Sequence, residues 1–220
     1  MIRIYPSLMA ADPLCLKNEI QLLAPHCAGF HLDVMDNHFV PNITWGADTV
    51  NAIARLGSPM WVHLMVEKPD EFYATLQLSD DSIVSFHIES KVDVFRLIKI
   101  IKEKKHKASI AISPKTPISR IIPFLHDIDQ VVVMSVEPGF SGQSFLKASL
   151  DRISELVEHR KKTNTTFRIG IDGGIDAINI AVVVEKGVDD CAIGSGIFRN
   201  KDSIEALQKL QKLAGKDKFF

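Results

Sequence analysis

The sequence is short of net charge. Across 220 residues, 26 Lys and Arg face 27 Asp and Glu, a formal charge of −1. No basic stripe is available to neutralise a phosphodiester backbone, which argues against a nucleic-acid partner. Cysteine is scarce too, with Cys15, Cys27 and Cys191 forming an odd set that contains no CxxC. That pattern argues against a disulfide framework and fits reduced thiols. Long apolar runs are missing. The stretches around 131–135 and 181–184 are far too short to span a bilayer, and Met1–Pro6 lacks the charged-then-apolar pattern of a secretion signal. The expectation is a cytoplasmic protein with no membrane partner. With 46% apolar and 24% charged residues, the chain has the balance of a folded domain rather than a disordered one.

What is present is rhythm. Short β-branched runs fall near Arg3–Leu8, Phe30–Val34, Trp61–Met65, Ser82–His87, Ala108–Ile112, Gln130–Ser135, Phe167–Asp172 and Asp190–Ile193. Segments of helical period separate them. Leu14, Ile20 and Leu23 share one face of the first, behind Asp12-Pro13 as N-cap and first helical residue. Ala47, Val50, Ile53 and Ala54 form the next stripe, and Phe72, Leu76 and Leu78 the third. Val94, Leu97, Ile98 and Ile101 follow, then Ile118–Phe124, then Leu146, Leu150, Ile153 and Val157, with Ile175–Glu185 and Ser203–Leu213 completing the set. Eight strand-then-helix units predict a parallel sheet closed into a (β/α)8 TIM barrel, one domain over residues 1–220. An open doubly wound sheet would need a Gly-x-Gly-x-x-Gly turn early on, and the first strand ends instead in Pro6-Ser7-Leu8-Met9. The tail Lys216–Phe220 reads as a frayed terminus.

In such a barrel the chemistry sits at the C-terminal strand ends. Those ends carry Ser7, His31 with Asp33, His63 with Met65, His87, Ser113, Met134, Asp172 and Gly194. His31 and Asp33 point the same way because side chains alternate along a strand. A single His-x-Asp pair is more often solvated than ligating, His63 alone could be a hydrogen-bonded core histidine, and Asp172 alone could cap a helix. Four nitrogen and oxygen donors converging on one rim favour a mononuclear divalent metal site. Zn²⁺, Fe²⁺, Mn²⁺ and Co²⁺ all accept mixed imidazole and carboxylate ligands, so the set does not choose among them. Met35, Met65 and Met134 could be core filler, or a polarisable lid that excludes water without adding an acid. Three glycine clusters follow the last strands: Gly139-Phe140-Ser141-Gly142, Gly173-Gly174 and Gly194-Ser195-Gly196. Their positions suggest backbone N–H groups cradling a phosphate, with no lysine or arginine expected nearby.

Several of these segments resemble the ribulose-phosphate 3-epimerase family: Ser7-Leu8, His31–Asp36, His38–Asn42, Val62–Val66, Met134–Phe145, Asp172–Ile175 and Gly194–Phe198. The match runs in order from about residue 4 to about residue 200. The resemblance implies a (β/α)8 enzyme with one divalent metal held by His31, Asp33, His63 and Asp172, and no nucleotide or organic cofactor. It also implies substrate contacts from Ser7, His63, the methionines and the glycine loops, with Asp33 and Asp172 as acid and base. Its expected reaction inverts C3 of a ketose phosphate, D-ribulose 5-phosphate to D-xylulose 5-phosphate, through a cis-enediolate. The related D-allulose-6-phosphate 3-epimerases share Ser7-Leu8-Met9. A metal-free phosphate-binding barrel would leave His31 and His63 unexplained, and a non-catalytic sugar-phosphate sensor would not need all four ligands. The resemblance further implies a homo-oligomer, dimer or hexamer. Asn37, Ser113, Glu137 and Trp61 depart from the family pattern; an acidic residue is common at the position of Trp61.

Overall fold

The structure, a computed structural model, describes residues 2–215. Its strands are β1 (Arg3–Pro6), β2 (Phe30–Met35), β3 (Met60–Met65), β4 (Ile83–His87), β5 (Lys107–Ile112), β6 (Gln130–Met134), β7 (Arg168–Asp172) and β8 (Asp190–Ile193). All pair in parallel, in the order β1-β8-β7-β6-β5-β4-β3-β2. The remaining seam, between β1 and β2, is closed by a single parallel bridge from Ser7 to His31 and by Ala28 N–H donating to the Ile4 carbonyl at 3.2 Å. The result is a (β/α)8 barrel, as the alternating pattern requires. The tail Lys216–Phe220 lies outside the described residues.

The helices are α1 (Leu16–Leu23), α2 (Ala47–Ala54), α3 (Pro69–Ala74), α4 (Val94–Glu103), α5 (Ser149–Thr163), α6 (Ile180–Glu185), α7 (Ser195–Phe198) and α8 (Ser203–Ala214). Strand residues of one parity pack under them: Phe30, Leu32 and Val34 are fully buried beside Val62, Leu64 and Phe86. The opposite parity fills the bore of the barrel, which is layered. At its N-terminal end, buried Asp190 accepts from Arg3, Arg168 and Gln130 at 2.6–2.9 Å. Above it lies an apolar plug of Tyr5, Trp61, Ile83, Ala111, Val132 and Ala192. The Trp61 indole donates to Ser85 Oγ at 2.7 Å. Space for its ring comes from β7, where Gly170 lacks the β-carbon that would lie 3.0 Å from the indole.

Three expectations need correction. The first helix opens at Leu16, not at Pro13: Asp12 caps a preceding turn by accepting from Leu14 N–H at 2.9 Å, and Leu14 is 93% exposed. Ile118–Phe124 is two short 3₁₀ turns rather than an α-helix, with Pro117 and Pro123 supplying no amide for a longer ladder. Finally, α3 ends at Ala74, α5 begins at Ser149 and α6 at Ile180, so Leu76, Leu78, Leu146 and Ile175 lie in the flanking loops.

Candidate metal and substrate site

Strand register assembles the site. The β2–β3 ladder sets Asp33 against His63 and Met35 against Met65, while β6–β7 sets Met134 against Asp172. Above the apolar plug, donor atoms of His31, Asp33, His63 and Asp172 all lie within 4.8 Å of one another. Both imidazoles are fully buried, and His31 rests edge-on against Trp61 at a centroid distance of 4.8 Å. The floor of the site is therefore the plug itself.

Proton positions follow from the neighbours. The Ser7 hydroxyl donates to Asp33 Oδ2 at 2.9 Å, and the Asp33 carboxylate can only accept. His31 Nδ1–H then donates to Ser7 Oγ at 3.1 Å, which leaves Nε2 a buried lone pair without a partner. His63 Nδ1 also lacks a hydrogen bond, although Asp33 Oδ1 and Asp172 Oδ2 lie 3.3 and 3.2 Å away. Its Nε2 meets His87 Nε2 at 3.0 Å, and His87 Nδ1 meets Glu89 Oε2 at 3.2 Å. Glu89 also accepts from Ser113 N–H at 3.0 Å and from the Thr116 hydroxyl. If each donor in this chain points outward, toward Glu89, His63 Nδ1 presents a lone pair to the two carboxylates.

The electrostatics favour positive charge between these two carboxylates. Burial works against the charged form of His63, but Asp172 and Asp33 overcome it and its pKa is pushed up to about 9. Burial likewise opposes ionisation of Asp33, yet His31 and His63 hold its carboxyl well below the usual carboxylate range. This pocket stabilises positive charge at one point, and two unpartnered imidazole nitrogens with two carboxylates are the donor set a divalent ion takes. The residues fit such a group.

One cleft opens over this centre. Its lining includes Ser7, Asp33, Met35, Met65, Gly139, Phe140, Ser141, Gly142, Asp172, Gly173, Gly174, Gly194 and Ser195. The three glycine loops thus converge on a common wall. Gly174 has φ +65°, and a β-carbon there would lie 2.7 Å from the Phe145 amide nitrogen, so the second loop touches the first only because it is glycine. Met134 is placed differently: it packs in the interior cluster with the plug and does not line the cleft. Met9 takes the third place, in contact with the Met35, Val40 and Met65 group. Its signal was weak, because it stands on a 3₁₀ turn beyond β1 where strand parity gives no guidance. Arg199 was missed as well, and the expectation of no cation near the glycine loops is corrected: its guanidinium lies against Gly142. Only the fold brings those two positions together.

Fold and site define a class: a (β/α)8 enzyme barrel carrying a two-histidine, two-aspartate centre under glycine loops at its C-terminal rim. The ribulose-phosphate 3 epimerase family model matches residues 3–198. The chain is 41% identical over 210 residues to ribulose-phosphate 3-epimerase of Aquifex aeolicus, covering 94% of this chain and 95% of that protein. It is 35% identical over 214 residues to the Bacillus subtilis enzyme of the same name, covering 96% and 99%. Among solved structures, KGPDC from Streptococcus mutans superposes with a TM-score of 0.68 at 11% identity, covering 97% of each chain. Orotidine 5'-monophosphate decarboxylase from Sulfolobus solfataricus gives 0.67 at 13% identity, covering 97% of this chain and 98% of the other; these two share the barrel. The protein belongs to the ribulose-phosphate 3-epimerase family and is an epimerase with a metal-binding cluster. Among the described residues, no helix is long and apolar enough to cross a membrane.

Proposed function

We propose that the protein interconverts D-ribulose 5-phosphate and D-xylulose 5-phosphate, with Asp33 and Asp172 as the proton carriers. The observation that carries this reading is the meeting of His31, Asp33, His63 and Asp172 within 4.8 Å beneath a cleft walled by three glycine loops. The C3 proton of a 2-ketose phosphate is acidified by the neighbouring carbonyl, and inversion needs removal from one face and delivery to the other. A carboxylate on β2 and one on β7, both against His63 Nδ1, can serve the two faces. Asp172 Oδ2 takes or returns the proton on one side, and Asp33 does so on the other, the roles exchanging with reaction direction. A divalent ion held by His31, Asp33, His63 and Asp172, whether Zn²⁺, Fe²⁺, Mn²⁺ or Co²⁺, would stabilise the negative charge that develops on the substrate oxygens as the proton leaves.

The remaining groups bind and shield. Ser7 fixes Asp33 through its hydroxyl. Met35 and Met65, 4% and 2% exposed, form an apolar cover that offers no competing proton. The amides of the glycine loops receive the phosphate. Asp172→Asn should keep its fold and its phosphate binding while losing about 10²–10⁴-fold in turnover. The check is kcat/KM on D-ribulose 5-phosphate together with circular dichroism, and near-wild-type turnover would overturn the two-carboxylate mechanism. Met9 in the methionine cluster keeps a second substrate in view, because Ser7-Leu8-Met9 also resembles the allulose 6-phosphate enzymes. Side-by-side kcat/KM values on the pentulose and hexulose phosphates decide between them, and a preference for the pentulose is expected.

A further inference from the structure

We infer that Arg199 is a phosphate-binding residue, the cation that balances the substrate's phosphate dianion across the glycine loops. The inference rests on the phosphate-cradle reading above and goes beyond it by naming a charged group.

Arg199 follows α7, and its backbone N–H donates to Ser195 O at 3.3 Å. The guanidinium is laid across the loop after β6. A β-carbon at Gly142 would lie 2.4 Å from Arg199 Nη2 and 3.1 Å from Cζ, so the absence of a side chain at 142 is what lets the cation approach. Arg199 lines a pocket that continues outward from the catalytic cleft, and the two hollows share Gly142, Gln143, Gly174, Ile175 and Ser195. The guanidinium thus stands behind the wall on which all three glycine loops meet.

Its charge is uncommitted. Among the described residues, no carboxylate forms an ion pair with Arg199; the paired arginines are Arg3, Arg160 and Arg168. Asp176, on the same outer pocket, accepts through Oδ1 from Ile178 N–H at 2.8 Å and Asn179 N–H at 3.3 Å and forms no ion pair with Arg199. Among the described residues, the catalytic cleft itself is lined by Asp33 and Asp172 and by no lysine or arginine. A phosphate dianion brought beside two carboxylates meets repulsion that neutral amides reduce but do not cancel. A guanidinium behind the loop supplies the opposite charge through the glycine wall.

The test compares wild type, Arg199→Gln and Arg199→Lys, all metal-loaded. Competitive inhibition by inorganic phosphate is measured alongside KM and kcat for D-ribulose 5-phosphate. Arg199→Gln should raise both the phosphate Ki and KM by about 10- to 100-fold, with kcat changing far less, and Arg199→Lys should recover part of the loss. A purely structural arginine would move the thermal midpoint but not this split between KM and kcat. If wild type binds phosphate and Arg199→Gln binds it equally well, the role of Arg199 is overturned while the glycine cradle stands. If phosphate does not compete with substrate on wild type at all, the cradle reading falls and this inference falls with it.

Discussion

His63 shows how much a single residue's role depends on what lies behind it. Its ring lies nearly parallel to that of His87, with 12° between the planes and centroids 5.0 Å apart, and His87 is fully buried. Burial holds His87 below the ordinary histidine range despite Glu89, so it serves as a neutral relay that accepts on one nitrogen and donates from the other. Burial also opposes the charge on Glu89, but His87 and Thr116 outweigh it and leave its pKa at about 2. An ionised Glu89 therefore orients the His87 ring, which accepts from His63 Nε2–H. Glu89→Gln should weaken divalent-metal binding by about 10- to 100-fold with the fold intact. Calorimetric titration of Mn²⁺ or Zn²⁺ into the metal-stripped protein reads this, and an unchanged Kd would remove Glu89 from the chain. His87 was legible at a strand end, whereas its place between His63 and Glu89 was not. Asn37 was more legible: asparagine tolerates left-handed backbone, and it stands at φ +60°.

At the level of elements, strands were read within two residues because a period of two leaves little freedom in a sheet buried on both sides. Helices were read less well. Leu14 continued the apolar spacing of α1, yet Asp12 offers its side chain to Leu14 N–H and holds that segment in a turn. Between β5 and β6 the prolines did the same. Pairing across the bore was invisible in the sequence, since Trp61 and Gly170 are linked only by the fold. Tryptophan fills this part of the bore, and glycine on β7 makes the room. Gly170→Val should therefore destabilise the protein by about 1–3 kcal/mol in urea unfolding. Combined with Trp61→Phe, the cost should be less than the sum of the two single changes. Strict additivity would mean that the two side chains do not compete for one space.

Across the whole molecule, the bore carries charge at both ends for different reasons. The N-terminal end is structural: Asp190 is fully buried, and burial alone would raise its pKa, but Arg3 and Arg168 hold it below the carboxylate range. A carboxyl with a depressed native pKa contributes stability that is fully present above its unfolded value of about 3.8 and is lost as pH falls through the native value. Asp190→Asn should cost about 3 kcal/mol at neutral pH, toward the low end for a broken buried pair because both arginines are partly exposed. The difference from wild type should close only below about pH 4. Thermal melts of both proteins from pH 7 to pH 3 would show it, and a gap independent of pH would assign the cost to packing instead. None of this was legible from Asp190 at the head of a strand, whereas His31, Asp33, His63 and Asp172 could be read because strand ends are where such residues have no core to fill.

The plug of Tyr5, Trp61, Ile83, Ala111, Val132 and Ala192 lies between these two ends. A blocked bore has only one doorway, so substrate and product must use the same rim and exchange places rather than pass through. It also lets the two ends diverge separately over generations: rim loops can be retailored for another sugar phosphate while the arginine–aspartate base is inherited unchanged.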